Sequence, residues 1–441
     1  MKKQIEISLR RNLVLIGFAA SVALGLIFTH DEVYRPLVRD VFLCSVAILL
    51  INILFEMPRN EKYFRWIFIS GGIIFSLFLR LALIPHQSID YTNFSEQWYD
   101  VMAREGGFAS LKNNFYYSPP YMYMMAFLTY LPISKLAGIK FLSIPFDYLG
   151  AYFVYRMVRL KYENEKISLA AALLFLILPT VVMNGSFWAQ CDSIYTSFLL
   201  GSLYFMMRKK YIFSLVFFGI AFGFKLQSIF FLLPVLMLFI KKEIDLEKLL
   251  IIPLVFVLLI LPNYFLGRPF LELLFVYFPQ TKDFPFLSNE APSIYKLIPG
   301  APFDLFQQAG MLVTGSFILF FALFAFWSKR ISTDKEFLLR SAMISVLVIP
   351  FLLPQMHERY FFAADAISLV FAFYFPGYFY FPLVVGMASL FSYYKFLFGV
   401  EMFEMKYLSM AMGVVIVMAL KDFCGGFDKN SATGALLSHR G

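Results

Sequence analysis

Long apolar runs separated by short polar stretches recur along nearly the whole chain. Each run comes close to the roughly 20 residues that a helix needs to cross about 30 Å of hydrocarbon. About 13 to 15 such segments can be read in the sequence, although several are short for a full crossing. The pattern therefore predicts an all-α fold, a polytopic transmembrane helical bundle.

Composition supports a membrane environment. Hydrophobic residues make up 60% of the 441 residues and charged residues 15%, which is more apolar surface than a soluble core of this size can bury. We expect one membrane domain over 1–424, including two extra N-terminal spans in 13–55, and a polar cytoplasmic tail over 425–441. The net charge of +9 lies in short clusters between apolar runs, so it marks membrane topology and does not indicate nucleic-acid binding.

Clusters of lysine and arginine near the ends of the runs predict which loops face the cytoplasm. On this basis two long loops face outward, a first outer loop at 86–119 and a large outer loop at 267–308. The rule gives contradictory results just after the first outer loop, because basic residues both precede and follow a single apolar run there. Both ends of that run would then face the cytoplasm, which a run that crosses the membrane cannot do. Either 120–134 or 141–157 is therefore expected to enter the bilayer without crossing it, which is tolerated where protein shelters the backbone.

The first outer loop, which begins HQSIDYTNFSEQWYDVMAREGG, combines acidic residues with apolar ones at helical spacing. The spacing predicts an amphipathic helix lying on the membrane surface. Asp90 precedes this helix, where an aspartate serves either as an N-cap or, at the mouth of a bundle, as a general base toward a hydroxyl. Tyr117, in the following NNFYYSPPYMYMM, belongs either to an interfacial aromatic belt or to an aromatic rim that holds a sugar ring.

Two further polar clusters interrupt apolar runs at predicted outer turns. The segment NGSFWAQCDSIY places Gln190 and Asp192 at one turn, and a carboxylate at that depth faces a cavity or a partner unless it caps the next helix. The segment GFKLQSIFFLLP places Lys225 and Gln227 at the other, where the lysine either extends to the membrane surface or neutralises a phosphate. Asp147, deeper in its run, is expected to pair within the bundle.

The segment PQMHERYFFAAD carries three consecutive ionisable residues, His357, Glu358 and Arg359, at a predicted outer boundary. A charge run is usually a solvated loop, but the tight apolar flanks place this one at membrane depth and favour a binding role. Arg359 offers a bidentate fork to phosphate, His357 can donate one more hydrogen bond, and Glu358 can orient either of them.

The order of these features, an acidic outer loop followed by YSPP, WAQCDSIY, FKLQ and MHERYFFAAD, resembles the GT-C superfamily of membrane glycosyltransferases. The chain looks closest to bacterial relatives of the second mannosyltransferase of the GPI-anchor pathway, in the group that uses polyprenyl-phosphate sugars. The resemblance covers about residues 66–375. One departure is visible, because the WGQ-D pattern of that family appears here with Ala189 in place of the glycine.

The resemblance implies direct, inverting transfer of a sugar from a polyprenyl-phosphate donor to a glycan, lipid or protein on the extracytoplasmic side. Mannose is the sugar that the family suggests. Asp90 becomes the expected catalytic base. The expected ligands of the donor phosphate are Lys225, His357 and Arg359. The residues assigned to substrate binding are Tyr117, Gln190, Asp192, Gln227 and Glu358.

The same resemblance sets expectations for cofactors, partners and location. No cofactor is required, because a lipid phosphate is already a competent leaving group; a divalent metal is compatible with the chemistry but is not predicted. The expected partners are the lipid-linked donor, the acceptor and membrane lipid. The expected location is the bacterial inner membrane, with the site facing outward.

Two other kinds of protein share the polytopic, basic and aromatic composition. A flippase or transporter of lipid-linked saccharides typically scatters ionisable groups through the midplane and shows internal repeats, whereas here the charges favour one face and no repeat is visible. A polysaccharide polymerase or ligase usually relies on basic residues in a late large loop, but in 267–308 the basic residues do not outnumber the acidic ones. A glycosyltransferase is therefore the favoured interpretation.

Overall fold

A computed structural model gives the structure of the protein and describes residues 62–279, 285–328 and 333–438. Helices dominate it, and the two spans predicted within 13–55 lie outside the described residues. In chain order the α-helices are α1 (Lys62–Leu83), α2 (Glu96–Arg104), α3 (Pro119–Leu128), α4 (Lys135–Phe141), α5 (Ile144–Arg159), α6 (Glu165–Ile177), α7 (Pro179–Val182), α8 (Asp192–Met207), α9 (Tyr211–Phe224), α10 (Leu232–Ile240), α11 (Leu246–Leu249), α12 (Ile251–Phe265), α13 (Phe270–Leu274), α14 (Phe303–Trp327), α15 (Lys335–Leu352), α16 (Phe362–Tyr374), α17 (Phe381–Phe398) and α18 (Met405–Ser438).

Short irregular elements connect these helices. Among the elements that lie wholly within the described residues, two π-helical turns cover Tyr91–Ser95 and Met183–Phe187, and four 3₁₀ turns cover Gly107–Lys112, Leu226–Phe231, Ile294–Leu297 and Pro376–Tyr378. Two strands of two residues each, β1 (Ser288–Asn289) and β2 (Met356–His357), pair in parallel.

Several helices are long and apolar enough to cross a membrane. Within the described ranges four stretches qualify, and a fifth does if the bent pair α6 and α7, which meets at 51°, counts as one span. The four are Leu246–Phe265, Phe303–Trp327, Pro376–Phe398 and Met405–Gly425. The prediction of an all-α polytopic membrane fold, with the amphipathic helix α2 in the first outer loop, is confirmed.

The inner and outer helices of the bundle differ in how much of their surface is covered by protein. Helices α8, α15 and α16 are covered by protein along almost their whole length. By contrast, only 17% of the apolar stretch Leu246–Phe265 and 22% of Phe303–Trp327 is buried, so these helices present wide apolar faces suited to lipid. Because α8 and α15 are shielded from lipid, they can carry the charged residues that a lipid-facing helix cannot.

A buried ion pair joins α1 to α5. Arg80 Nε lies 2.8 Å from Asp147 Oδ2, both side chains are fully buried, and Ser193 Oγ donates to the other carboxylate oxygen. The predicted pairing of Asp147 within the bundle is therefore confirmed. At the end of α1 the buried Lys140 donates to the carbonyls of Leu83 and His86 at 3.2 and 2.6 Å, which satisfies helix-end acceptors and fixes the path of the chain into the first outer loop.

The topology conflict after the first outer loop is resolved by Lys135. Its Nζ lies 2.6 Å from Glu96 Oε1 and 3.1 Å from Asp100 Oδ2, both on α2 of that loop. Helix α3 ends at Leu128, after only 10 residues. The chain therefore returns after α3 to the end of the molecule from which it entered, and 120–134 is the segment that does not cross.

Candidate functional site

Asp90 lies where the chain leaves α1 and enters the π-helical turn Tyr91–Ser95. Its side chain makes no capping hydrogen bond, so the N-cap alternative is wrong. Instead, Asp90 Oδ2 accepts hydrogen bonds from Trp188 Nε1 at 2.9 Å and from Gln190 Nε2 at 2.5 Å. Ser88 Oγ strengthens the same junction by donating to the Trp188 carbonyl at 2.5 Å.

The two donors leave one carboxylate oxygen of Asp90 available. Both bonds reach Oδ2, and among the residues that the structure describes Oδ1 has no hydrogen-bond partner. The Asp90 side chain is 16% exposed, so a substrate hydroxyl can approach it. A carboxylate held on one oxygen and open on the other has the geometry that a general base needs.

The segment that supplies both donors turns sharply at Ala189. The backbone of Ala189 has φ 69°, a left-handed conformation that glycine adopts at no steric cost. Ser143, the residue before α5, donates from its Oγ to the Gln190 carbonyl at 2.7 Å and holds the turn. The alanine that departs from the WGQ-D pattern thus keeps the backbone conformation that a glycine favours.

Left-handed backbone at non-glycine residues recurs around the site. The φ angles are 53° at Tyr116, 69° at Ala189, 59° at Glu290 and 61° at Gln355. Tyr116, Ala189 and Gln355 each lie within two positions of a predicted site residue, and Glu290 forms an isolated bridge with His357 next to the short sheet. Such conformations cost about 1–3 kcal/mol each and persist where surrounding structure imposes them.

Replacing Ala189 by glycine is expected to preserve the free energy of unfolding or raise it by up to about 1 kcal/mol, because the Cβ strain is removed. Replacing it by valine is expected to lower that free energy by about 1–3 kcal/mol. Thermal unfolding of the purified protein in detergent measures both. The matched control is Ala221→Gly, in the buried interior of α9, where glycine costs about 1 kcal/mol. Equal destabilisation by both glycine variants would contradict the assignment of strain to Ala189.

Arg359 is the centre of the charge cluster. Its Nη1 lies 2.6 Å from Glu358 Oε1 and 3.9 Å from Asp90 Oδ2, and its Nε lies 3.8 Å from Asp192 Oδ2. The guanidinium also lies over the Trp188 ring, at 5.6 Å from its centroid. One cation therefore faces three carboxylates contributed by three separate parts of the chain.

Glu358 fixes the orientation of Arg359. The Glu358 side chain is fully buried, and burial by itself would raise its pKa. The Arg359 guanidinium and the His357 ring outweigh that effect and hold the pKa of Glu358 below its ordinary value. Glu358 is therefore an ionised partner that keeps the guanidinium turned toward the site.

Lys225 and Asp192 form a second ion pair behind Arg359. Lys225 Nζ lies 2.5 Å from Asp192 Oδ1 and is only 9% exposed, so the alternative in which the lysine extends to the membrane surface is wrong. The Asp192 carboxylate also accepts from Asn184 Nδ2 at 2.8 Å, while its backbone N–H donates to Asn184 Oδ1. Asp192 is thus held by side chains and does not serve as a helix cap.

Tyr117 and Gln227 lie at the edges of this cluster. The Tyr117 hydroxyl is 2.9 Å from Cys191 Sγ, and its ring lies 5.3 Å from that of Trp98. The Gln227 side chain lies near the Tyr360 hydroxyl. Both residues therefore lie one contact away from the charged groups.

Three residues of the site were not singled out by sequence reasoning. Trp188 and Asn184 flank predicted residues in the same segment, and their polar side-chain groups within an apolar run were a usable signal. Asn289 hydrogen-bonds to His357 from 68 positions away in the large outer loop, and no sequence pattern pointed to it. Within the described part of the chain, no group of three metal-ligating side chains is present.

Fold and site together define a polytopic all-α membrane protein with a carboxylate and an arginine facing one another at one end of the bundle. A family model described as dolichyl-phosphate-mannose-protein mannosyltransferase matches residues 117–265. The match contains Gln190, Asp192 and Lys225 but not Asp90 or the residues around Arg359. It indicates a membrane glycosyltransferase of the GT-C type. No solved structure matches the chain.

Proposed function

We propose that this protein transfers a sugar from a polyprenyl-phosphate donor directly to a hydroxyl of an extracytoplasmic glycan, lipid or protein, with inversion at the anomeric carbon. The observation that carries the proposal is the approach of Asp90 Oδ2 to within 3.9 Å of Arg359 Nη1, although 269 positions separate them in the chain. Such a transfer needs a base and a phosphate-binding cation within one site, and the donor has to separate Arg359 from Asp90 as it binds.

In this mechanism the free oxygen of Asp90 removes the proton from the acceptor hydroxyl as that hydroxyl attacks the sugar. Arg359 and His357 stabilise the charge that grows on the departing lipid phosphate. The bond between the anomeric carbon and the phosphate oxygen breaks as the new glycosidic bond forms, and the proton leaves on Asp90. The donor is the only source of the sugar, and the lipid phosphate is the only leaving group.

Lys225 stays a predicted ligand of the donor phosphate, and its ion pair adds a second role. Because Lys225 neutralises Asp192, that carboxylate does not repel an anionic donor. Arg359 is shared among carboxylates before the donor arrives, so a monoanionic phosphate has to compete with Asp90 and Asp192 for the guanidinium. The site is therefore better suited to a monophosphate than to an uncharged glycoside, because an uncharged glycoside could not compete with the carboxylates for the guanidinium.

Several finer assignments belong to the same proposal. Mannose as the sugar is supported by the description of the matching family model. Kinship with the second mannosyltransferase of the GPI-anchor pathway, a bacterial inner-membrane location and an outward-facing site follow from the resemblance and from the basic clusters in the sequence. No metal is needed in this mechanism, because Arg359 supplies the charge and His357 a hydrogen bond at the leaving group.

The test uses the full-length protein in liposomes with polyprenyl-phosphate-[14C]mannose and a lipid and glycan extract as acceptor. We expect release of polyprenyl monophosphate together with transfer of label to acceptor, unchanged by EDTA. A matched donor, polyprenyl-pyrophosphate-[14C]mannose, is expected to react at least about 100-fold more slowly, since its extra phosphate displaces the sugar from Asp90. Movement of intact donor across the bilayer without cleavage would replace the proposal with a flippase, and preference for the pyrophosphate donor would replace it with a polymerase or ligase.

A further inference from the structure

The short helix α4 holds the first outer loop on both sides of Asp90. At the start of α4, Lys135 pairs with Glu96 and Asp100. Both of these carboxylates follow Asp90 in the chain. Near the end of α4, Lys140 binds the backbone that precedes Asp90. The loop is therefore attached to one short helix before and after the predicted base.

Lys140 is the more deeply buried of the two attachments. Its Nζ donates to the carbonyls of Leu83, Ile84 and His86 at 3.2, 3.0 and 2.6 Å, and its side chain is fully buried. Carbonyl oxygens only accept hydrogen bonds, so the roles of donor and acceptor are fixed in all three contacts. Lys135 is by contrast 36% exposed, and exposed ion pairs contribute little.

The number of acceptors matches the protonated form of Lys140. An ammonium group has three N–H donors, whereas a neutral amine has two, which would leave one helix-end carbonyl without its partner. Burial lowers the pKa of Lys140 to about 7, because the charged form loses its water. The three contacts are therefore complete below that pH, and experiments on them belong near pH 6.

The chain that follows α4 holds the other side of the Asp90 contact. Ser143, three positions after Lys140, donates to the Gln190 carbonyl at 2.7 Å. The turn before Gln190 is packed closely on Ser143, since a Cβ added to Gly185 would lie 2.9 Å from the Ser143 Cβ. Gln190 in turn donates to Asp90. Lys140 and Ser143 thus hold the base and its hydrogen-bond donor from one place in the fold.

The contacts of Lys140 lie close to the base along the chain. His86 precedes Asp90 by four positions, and residues 86–88 belong to no regular element. The path of this stretch therefore depends on side-chain contacts, those of Lys140 and the bond that Ser88 donates to Trp188. A displacement of about 1 Å in a catalytic group can lower a rate about 100-fold. Loss of Lys140 is thus expected to act on transfer through the position of Asp90.

We propose that Lys140 is a positioning residue that, together with Ser143, sets Asp90 against Gln190 and so directs the base at the acceptor hydroxyl. The inference rests on the proposed function, in which Asp90 is the base. Lys140 itself touches no reacting atom. The inference gives α4 a part in catalysis besides its part in the fold.

The first experiment measures transfer from polyprenyl-phosphate-[14C]mannose by full-length Lys140→Met in liposomes near pH 6. We expect kcat to fall about 100-fold. Binding of farnesyl monophosphate in detergent micelles is expected to stay within about threefold of wild type, since the predicted phosphate ligands are unchanged. Lys135→Met is the matched control, because it removes the other lysine of α4 and breaks only exposed ion pairs. Its kcat is expected to stay within about twofold of wild type.

A double-mutant cycle separates positioning of the base from a general loosening of the site. In the Asp90→Asn background the base is already absent, so Lys140→Met is expected to lower the residual rate less than about twofold. A further loss as large as the one in the wild-type background would overturn the proposal, because Lys140 would then act on another part of the site. A wild-type kcat in Lys140→Met would overturn it as well.

Ser143→Ala tests the other side of the contact with a milder change. It removes one hydrogen bond to the Gln190 backbone, so it decides the matter if Lys140→Met does not fold. We expect kcat to fall about tenfold with binding of farnesyl monophosphate retained. An unchanged kcat in this variant would contradict the proposal.

The outcomes separate this inference from the proposed function. If Asp90→Asn transfers sugar at the wild-type rate, the role of Asp90 as base fails, and the inference fails with it. If Asp90→Asn loses transfer but Lys140→Met and Ser143→Ala do not, the inference alone fails and the function stands.

Discussion

Replacing Asp90 by asparagine is expected to lower the rate of sugar transfer about 1000-fold while leaving donor binding within about threefold of wild type. The amide oxygen can still accept from Trp188 Nε1 and Gln190 Nε2, so the local fold is preserved. The other position then holds an NH₂ group, which cannot remove a proton from a hydroxyl. The measurements are transfer of label from polyprenyl-phosphate-[14C]mannose in liposomes and binding of farnesyl monophosphate.

The matched control for this substitution is Asp100→Asn in the same outer loop. Asp100 is half exposed and bound to Lys135, so its replacement removes an equal charge from the loop without touching the site. We expect its transfer rate to stay within about twofold of wild type, because exposed ion pairs contribute little. An Asp90→Asn protein that transfers sugar at the wild-type rate would end the assignment of Asp90 as base.

Replacing Arg80 by leucine is expected to lower the free energy of unfolding by about 3–5 kcal/mol, the largest stability effect that we predict. The reason is that Asp147 would remain fully buried without the partner that compensates its charge. Since α1 leads directly into the segment that carries Asp90, transfer should also fall at temperatures where wild type is stable. Unfolding in mixed detergent and SDS micelles measures the first effect.

The double variant Arg80→Leu with Asp147→Leu tests the physical reason. Removing both charges leaves no unpaired ion, so most of the loss is expected to return. Lys248→Leu supplies the surface comparison, because Lys248 and Asp245 pair at 2.8 Å but are exposed, and a change below about 1 kcal/mol is expected. A double variant as unstable as Arg80→Leu alone would show that the loss of stability comes from altered packing and not from an unpaired charge.

The sequence allowed the class of fold and the charged residues of the candidate site to be predicted, because both depend on patterns along the chain. Apolar periodicity indicated helices in a membrane, and polar groups at membrane depth marked Asp90, Asp192 and Arg359 as unusual. What each group contacts could not be predicted, since the partners of Asp90 lie 98 and 100 positions away. Lys225 illustrates the limit: its chemistry was compatible with several roles, and only its distance to Asp192 excluded exposure at the surface.

The segment 120–134 shows a similar limit. Its apolar content and its flanking lysine were compatible with a full span and with a re-entrant turn. A basic residue indicates the cytoplasmic side only when no acidic residue lies close enough to pair with it. Lys135 has two, Glu96 and Asp100. The charge rule therefore failed where an ion pair within the protein replaced the interaction of the lysine with the lipid surface.

The left-handed residues Tyr116, Ala189, Glu290 and Gln355 have a consequence for engineering this protein. A screen that rewards heat resistance alone will select glycine or asparagine at these positions, because such residues relieve the backbone at once. The relaxed loops will then sample more geometries, and turnover will decline as the melting temperature rises. Campaigns to stabilise the protein should hold these four positions constant and vary the lipid-facing helices instead.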